Sequence, residues 1–185
     1  MGGVAATSPP ALYRLSRQEY ERMVDCGALE GLPVELVDGF LVDVSPQGEQ
    51  HVAVVRALMR WFAPQVDLLR VQMPLAAGEA SEPEPDIALV EHDDPTRHPS
   101  TALLVVEVAV TSQEQDEHKA TLYARAAVPT YWLVDVRSRT VTAFSEPSSD
   151  GYGHRLVLDG DDPLPAPVPA EPMTVTKLFR HARLA

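Results

Sequence analysis

Leu103-Leu104-Val105-Val106-Glu107-Val108-Ala109-Val110 is the stretch from which the fold is read. With Ala102 before it, the run is apolar on both faces of a strand except at Glu107. Such a strand sits centrally in a sheet that is covered on both sides. Gln113 to Ala127 then predicts a helix stopped near Pro129, and Tyr131 to Val136 predicts another strand. Strand, helix and strand in this order predict a right-handed crossover joining two parallel strands.

Outward from this unit the pattern predicts smaller elements. Ser16-Arg17-Gln18-Glu19 reads as a capping box, with Leu15 and Tyr20 placed for a hydrophobic staple. The short helix that follows should turn Tyr20, Met23 and Val24 inward. Val34 to Asp43 alternates around Asp38-Gly39, a strong two-residue hairpin signal. Gln50 to Phe62 shows His51, Val54, Val55, Leu58, Met59 and Phe62 at helical spacing. Strands are expected over Leu68 to Leu75 and Ile87 to Val90, with a polar loop from Glu91 to Ser100. Thr140 to Ser145 should return as a hairpin, and Arg155 to Leu158 should add an edge strand. Asp159 to Pro172 is Pro-rich and loop-like, and Thr174 to Ala182 predicts a terminal helix. The expected fold class is α/β: a mixed central β-sheet flanked by α-helices, with an N-terminal helix and a β-hairpin. Residues 1–12 are expected to be a loose tail and residues 13–185 one domain.

Composition narrows the functions. Lys and Arg number 15 against 27 Asp and Glu, a net charge of −12, so the chain is not a generic binder of phosphate backbones. A nucleic-acid role must work through a local site or a metal. The single cysteine, Cys26, excludes an internal disulfide and a Cys-rich zinc site. Met1 to Tyr13 lacks the charged flank and apolar core of a secretory leader, and no apolar run approaches the roughly 20 residues of a membrane span. A cytoplasmic protein without a membrane partner is expected. A nucleophile-elbow serine, a P-loop, a dinucleotide glycine fingerprint and a His-Glu-x-x-His helix are all absent. His92 and His98 sit in a loop without further ordered ligands and make a poor zinc pair.

Glu107 is the oddest residue. An unpaired buried carboxylate costs several kcal/mol or takes up a proton. It is either a salt-bridged core residue or a metal ligand or catalytic acid in a cleft. Asp86, in Pro85-Asp86-Ile87, opens a strand, where ligands approach open α/β sheets. Seven acids and no Lys or Arg lie between Glu79 and Asp94, a field that would favour a divalent cation or merely make a solvated loop. Asp116 and Lys119 share a helix face, with Tyr123 one turn on. Lys119 is one of two lysines against thirteen arginines. From Glu107 to the strand end is roughly 10 Å, and from Gln113 back to Lys119 roughly 9 Å, so the two should sit level. Glu35 is a lone acid among Val34, Leu36 and Val37: either a solvent-facing hairpin position or a further carboxylate in the same pocket. His51, on an apolar helix face, reads first as a satisfied core histidine and second as a ligand. Hard oxygen ligands select Mg²⁺ or Mn²⁺. Asp86 and Glu107 holding such an ion, assisted by Lys119, would hydrolyse phosphodiesters.

Taken in order, several segments form a recognisable series. They are Val34-Glu35-Leu36-Val37-Asp38-Gly39, Ser45-Pro46, His51, Pro85-Asp86-Ile87 and Leu104-Val105-Val106-Glu107-Val108, then Asp116, Lys119, Tyr123 and Val128-Pro129-Thr130-Tyr131-Trp132-Leu133-Val134-Asp135. The series resembles the Uma-two family of restriction-endonuclease-like proteins, within the PD-(D/E)XK nuclease superfamily, over roughly residues 13 to 145. The resemblance implies a restriction-endonuclease-like core and Mg²⁺-type cleavage of DNA, with Asp86 and Glu107 as metal carboxylates. It implies that Glu35 is the upstream acidic residue and that the lysine comes from the following helix, as Lys119. The superfamily's usual lysine position, two after the Glu, is Ala109 here. Ala109-Val110-Thr111-Ser112 also departs from the family's Ser-Pro-Ser.

Asp116 and His51 would support this site. Two other readings remain open: a metal-free binding module in which Glu107 and Lys119 form a structural pair, and a metal-dependent hydrolase of a smaller phosphoester. A homodimer is compatible with a long substrate, although the sequence carries no interface signature.

Overall fold

The computed structural model describes residues 11–44, 46–110 and 113–184, the side chains of residues 113–117 excepted. Most of the expected tail, together with Ser45, Thr111, Ser112 and the Asp116 side chain, therefore lies outside the described residues. A six-stranded mixed sheet organises the chain, in the order β3-β4-β5-β6-β7-β8. Its strands are β3 (Leu69–Arg70), β4 (Ile87–Leu89), β5 (Leu104–Ala109), β6 (Thr130–Asp135), β7 (Thr140–Ser148) and β8 (Gly151–Leu158). β5 and β6 are parallel and are joined by helix α3 (Gln113–Arg125), as the crossover pattern required. The other neighbouring strands are antiparallel.

All six residues of β5 are buried, because helices cover both sheet faces. On one face Leu104, Val106 and Val108 pack with α2 (Glu49–Trp61) and α4 (Val175–His181). Trp61 stacks on Trp132 there, with ring centroids 5.9 Å apart. On the other face Val105 and Ala109 pack with α3 residues Ala120 and Tyr123 and with Val37 of the hairpin. That hairpin is β1 (Val34–Val37) and β2 (Phe40–Asp43). Its turn residues Asp38 and Gly39 have φ of 48° and 82°, the paired left-handed conformations that Asp-Gly favours. Leu36 bridges to Glu82, tying the hairpin to the segment that leads into β4.

Helix α1 (Arg17–Asp25) starts with the expected capping box, Ser16 with Glu19. It buries Tyr20, but Val24 is 50% exposed, contrary to expectation. α1 is held by polar contacts such as the Tyr20 hydroxyl donating to Val34 O, not by a wide apolar stripe. In α2, Met59 is also exposed. Ala57 and Trp61, four apart, complete the buried face and leave Met59 just past its edge.

The strand expected over Leu68 to Leu75 shrinks to Leu69–Arg70. Gln72 takes a left-handed φ of 51° and donates its N–H to Pro85 O, which turns the chain out of the ladder. β7 and β8 run longer than expected, past Pro147. β6 pairing ends at Ser145, so the missing Pro147 N–H deprives no neighbour on that side. Among the described residues, no helix is long and apolar enough to cross a membrane.

Candidate active site

The β4–β5 ladder sets Ile87 opposite Val106, and Asp86 immediately precedes β4, near enough for its charge to raise the Glu107 carboxyl. Asp86 also substitutes for a strand partner: its Oδ2 accepts the Val108 N–H at 2.9 Å. The same oxygen lies 2.8 Å from His51 Nε2, in the first turn of α2. A carboxylate accepts, so Nε2 carries the proton. His51 Nδ1 is buried with no hydrogen-bond partner among the described residues. With Oδ2 held twice, Oδ1 meets Gln72 Nε2 at 3.4 Å.

Glu107 Oε1 receives two donors from α3. The Tyr123 hydroxyl donates at 2.6 Å and Lys119 Nζ lies at 3.2 Å. Lys119 and Tyr123 are four apart and so share the helix face turned to the sheet. Lys119 Nζ lies closer still, 2.8 Å, to Oε1 of Glu35 on β1. Glu35 Oε2 accepts the Glu84 N–H at 3.1 Å. Glu35, His51, Asp86 and Glu107 are all buried.

The site is short of positive charge. Burial pushes Glu107 up to about 7. Lys119 and the Tyr123 hydroxyl oppose that rise, while Asp86 and Glu35 add to it. Burial alone would lower Lys119, but the attraction of Glu107 and Glu35 more than reverses it and fixes the ammonium form. Burial and the facing Glu107 hold the Tyr123 phenol well above its usual range, so it is a donor. Glu84 is raised by burial and by Glu35, with Lys119 opposing.

Lys119 meets both Glu107 and Glu35, and Asp86 is held beside β5 by His51 and the Val108 N–H. Glu35 is buried and not solvent-facing, and His51 is a core histidine whose Nε2 is satisfied by Asp86. Asp116 belongs to α3, its side chain outside the described residues. Gln72 and Glu84 were not singled out. The signal for Gln72 is its backbone conformation, which the sequence does not display, while Glu84 was hidden among other acids. Tyr123 was legible from its spacing to Lys119.

No three His, Cys, Asp or Glu side chains converge as a metal centre among the described residues. Two neighbouring carboxylates are nevertheless what Mg²⁺ takes from a protein, the rest of its shell being water and substrate oxygens. A buried carboxylate raised toward neutrality despite an adjacent lysine fits a site that a cation would relieve.

Comparisons with known proteins bear on this geometry. A solved structure described as a putative nuclease belonging to DUF820, from Anabaena variabilis ATCC 29413, matches with a TM-score of 0.62 and 19% identity. The match covers 80% of this chain and 90% of that one, and it shows a shared fold. No curated protein matches the chain significantly. The model of one family, Uma2, described as "Putative restriction endonuclease", matches residues 17–175. That span takes in every residue of the site, with α2 and α3 on the two faces of the sheet, and the chain belongs to the Uma2 family.

Proposed function

We propose that this chain is a Mg²⁺- or Mn²⁺-dependent endonuclease that hydrolyses phosphodiester bonds of DNA. The reading is carried by one observation: Lys119 Nζ stands 3.2 Å from Glu107, a buried carboxyl that the neighbouring Asp86 charge helps to raise. Asp86 and Glu107 would hold the metal. Such an ion, when bound, polarises a phosphoryl oxygen and acidifies an attacking water.

This chain's own residues do the remaining work. The Val108 N–H and His51 fix Asp86 Oδ2, leaving Oδ1 beside Gln72. Tyr123 fixes Glu107 Oε1. The Lys119 ammonium orients water and offsets negative charge growing on the phosphoryl oxygens, in a site where burial makes that charge effective. The net charge of −12 opposes a nucleic-acid backbone, so substrate binding depends on the local site.

The test is cleavage of duplex DNA, single-stranded DNA and a small phosphodiester by the wild type, Asp86→Ala and Lys119→Met, with Mg²⁺ or Mn²⁺. Melting curves are recorded alongside. Metal at about 100 times its Kd stabilises the native state by about 2.7 kcal/mol and raises Tm. Asp86→Ala is expected to lose both the shift and the cleavage. Lys119→Met is expected to keep the shift and lose cleavage. A wild type inert toward DNA in both metals, or an active Asp86→Ala, overturns the proposal. Activity confined to the small diester replaces DNA with a smaller substrate.

A further inference from the structure

We propose that Glu35 is the positioning residue of Lys119 and not a metal carboxylate, with the β1–β2 hairpin acting as a clamp on the lysine-bearing helix. The inference rests on the nuclease reading of the same site.

Both Glu35 oxygens are already engaged. Oε1 lies 2.8 Å from Lys119 Nζ, and Oε2 accepts the Glu84 N–H at 3.1 Å. The carboxylate is buried on β1. It links two elements, because Lys119 is on α3 and Glu84 is two residues ahead of Asp86. The hairpin turn repeats the attachment. Asp38 Oδ2 lies 3.2 Å from His118 Nε2, and Asp38 Oδ1 lies 3.8 Å from an Arg125 guanidinium nitrogen. One hairpin therefore grips α3 beside Lys119 and again near the helix end.

A lysine delivered from a helix needs such a grip. Its four-carbon stem has many rotamers, and one contact with Glu107 at 3.2 Å leaves the ammonium free to swing. The shorter contact to Glu35 defines its place, and Lys119 keeps that partner when Glu107 is engaged elsewhere. The assignment makes Glu35 a holder of the reacting geometry, with no contact of its own to substrate.

Glu35→Gln keeps the side chain's size and an acceptor for Glu84 while removing the charge. Mn²⁺ affinity is read from thermal-shift titration, and kcat and KM from DNA cleavage. These are measured for the wild type, Glu35→Gln, Lys119→Met and the double variant. Glu35→Gln is expected to hold its Mn²⁺ midpoint within about twofold and its KM near the wild type, while kcat falls by about tenfold to a hundredfold, as misplacement of a reacting group costs. The double variant should be no slower than Lys119→Met alone, since the two residues act as a unit.

A Mn²⁺ midpoint weakened about tenfold or more in Glu35→Gln marks a metal ligand and overturns the inference. So does a kcat loss that multiplies with that of Lys119→Met. If Glu35→Gln fails to fold, Asp38→Asn loosens the same clamp from outside the site and should lower kcat with the Mn²⁺ midpoint unchanged. No change in kcat there overturns the clamp. A wild type with neither Mn²⁺ shift nor cleavage sinks the nuclease reading, and this role of Glu35 with it. A wild type that binds and cleaves while Glu35→Gln fails the split sinks this inference alone.

Discussion

Glu82→Gln should flatten the dependence of stability on pH near neutrality. Glu82 is 4% exposed, and its Oε2 is buried with no hydrogen-bond partner among the described residues. The nearest guanidinium, that of Arg17, is 3.9 Å away and is itself paired with Glu21. Burial first, then repulsion from and a hydrogen bond with Glu21, push Glu82 from an ordinary 4.5 to about 7, with Arg17 opposing. A rise of that size corresponds to between about 3 and 4 kcal/mol at most, at about 1.4 kcal/mol per unit. Sharing of the proton with the more exposed Glu21 brings the expected effect nearer 2 kcal/mol.

The sign follows from proton counts. Between the two values the folded chain keeps a proton that the unfolded chain has released, so stability falls as pH rises through this window. Below it the stabilisation is complete, and above it the loss is complete. Glutamine cannot ionise and removes this slope. Urea unfolding of both chains from about pH 4.5 to about pH 8 isolates the titration of Glu82 and its partner Glu21, because groups away from them cancel in the difference. The wild type should lose about 2 kcal/mol relative to Glu82→Gln across that range. Two curves that stay parallel refute the reasoning, whatever constant gap separates them.

Two further substitutions probe how the site is held. His51→Ala removes one of the two donors to Asp86 Oδ2 and should weaken the Mn²⁺ midpoint about 10- to 100-fold in thermal-shift titration, while an unchanged midpoint denies His51 its orienting role. Gly39→Ala places a Cβ 2.7 Å from Arg14 Cβ and 3.1 Å from Leu15 O, at a φ of 82°. It should cost at least about 1–2 kcal/mol in urea unfolding, and a loss near zero would mean that the hairpin is not pinned by the chain before α1.

The residues legible in the sequence share one property: each is an anomaly against a local pattern. Glu107 breaks an apolar strand, and Asp86 abuts one. Lys119 is a rare lysine on a helix whose length from the strand end sets it level with Glu107. Strand rise and helix rise then carry these local facts to a three-dimensional meeting point. Asp38-Gly39 is similar, because the turn chemistry alone specifies two left-handed residues. The illegible parts depend on distant partners. Gln72 reaches Asp86 because the chain turns left-handed after β3 and its N–H finds Pro85 O. Val24 is exposed because what α1 meets is polar, which helical spacing cannot reveal. Glu35 showed its alternation but not which of two sides the hairpin would present.

The acidic run from Glu79 to Asp94 shows how far composition misleads when charge is read without partners. As a field of seven carboxylates it would attract a cation anywhere along its length. The fold breaks it into separate tasks. Asp93 pairs with Arg70, and Asp94 with Arg97 and the Thr96 N–H. Glu82 is buried beneath α1, beside Arg17 and Glu21. Glu84 offers its N–H to Glu35, and only Asp86 enters the site near Glu107. One ion pair, Asp93 with Arg70, fastens the segment to β3, while backbone contacts of Glu82 and Glu84 tie it to the hairpin ahead of Asp86. A diffuse acidic loop would bind cations weakly and without geometry. A carboxylate held by two donors, near a second carboxylate in a buried site, presents oxygens whose positions are set before any ligand arrives.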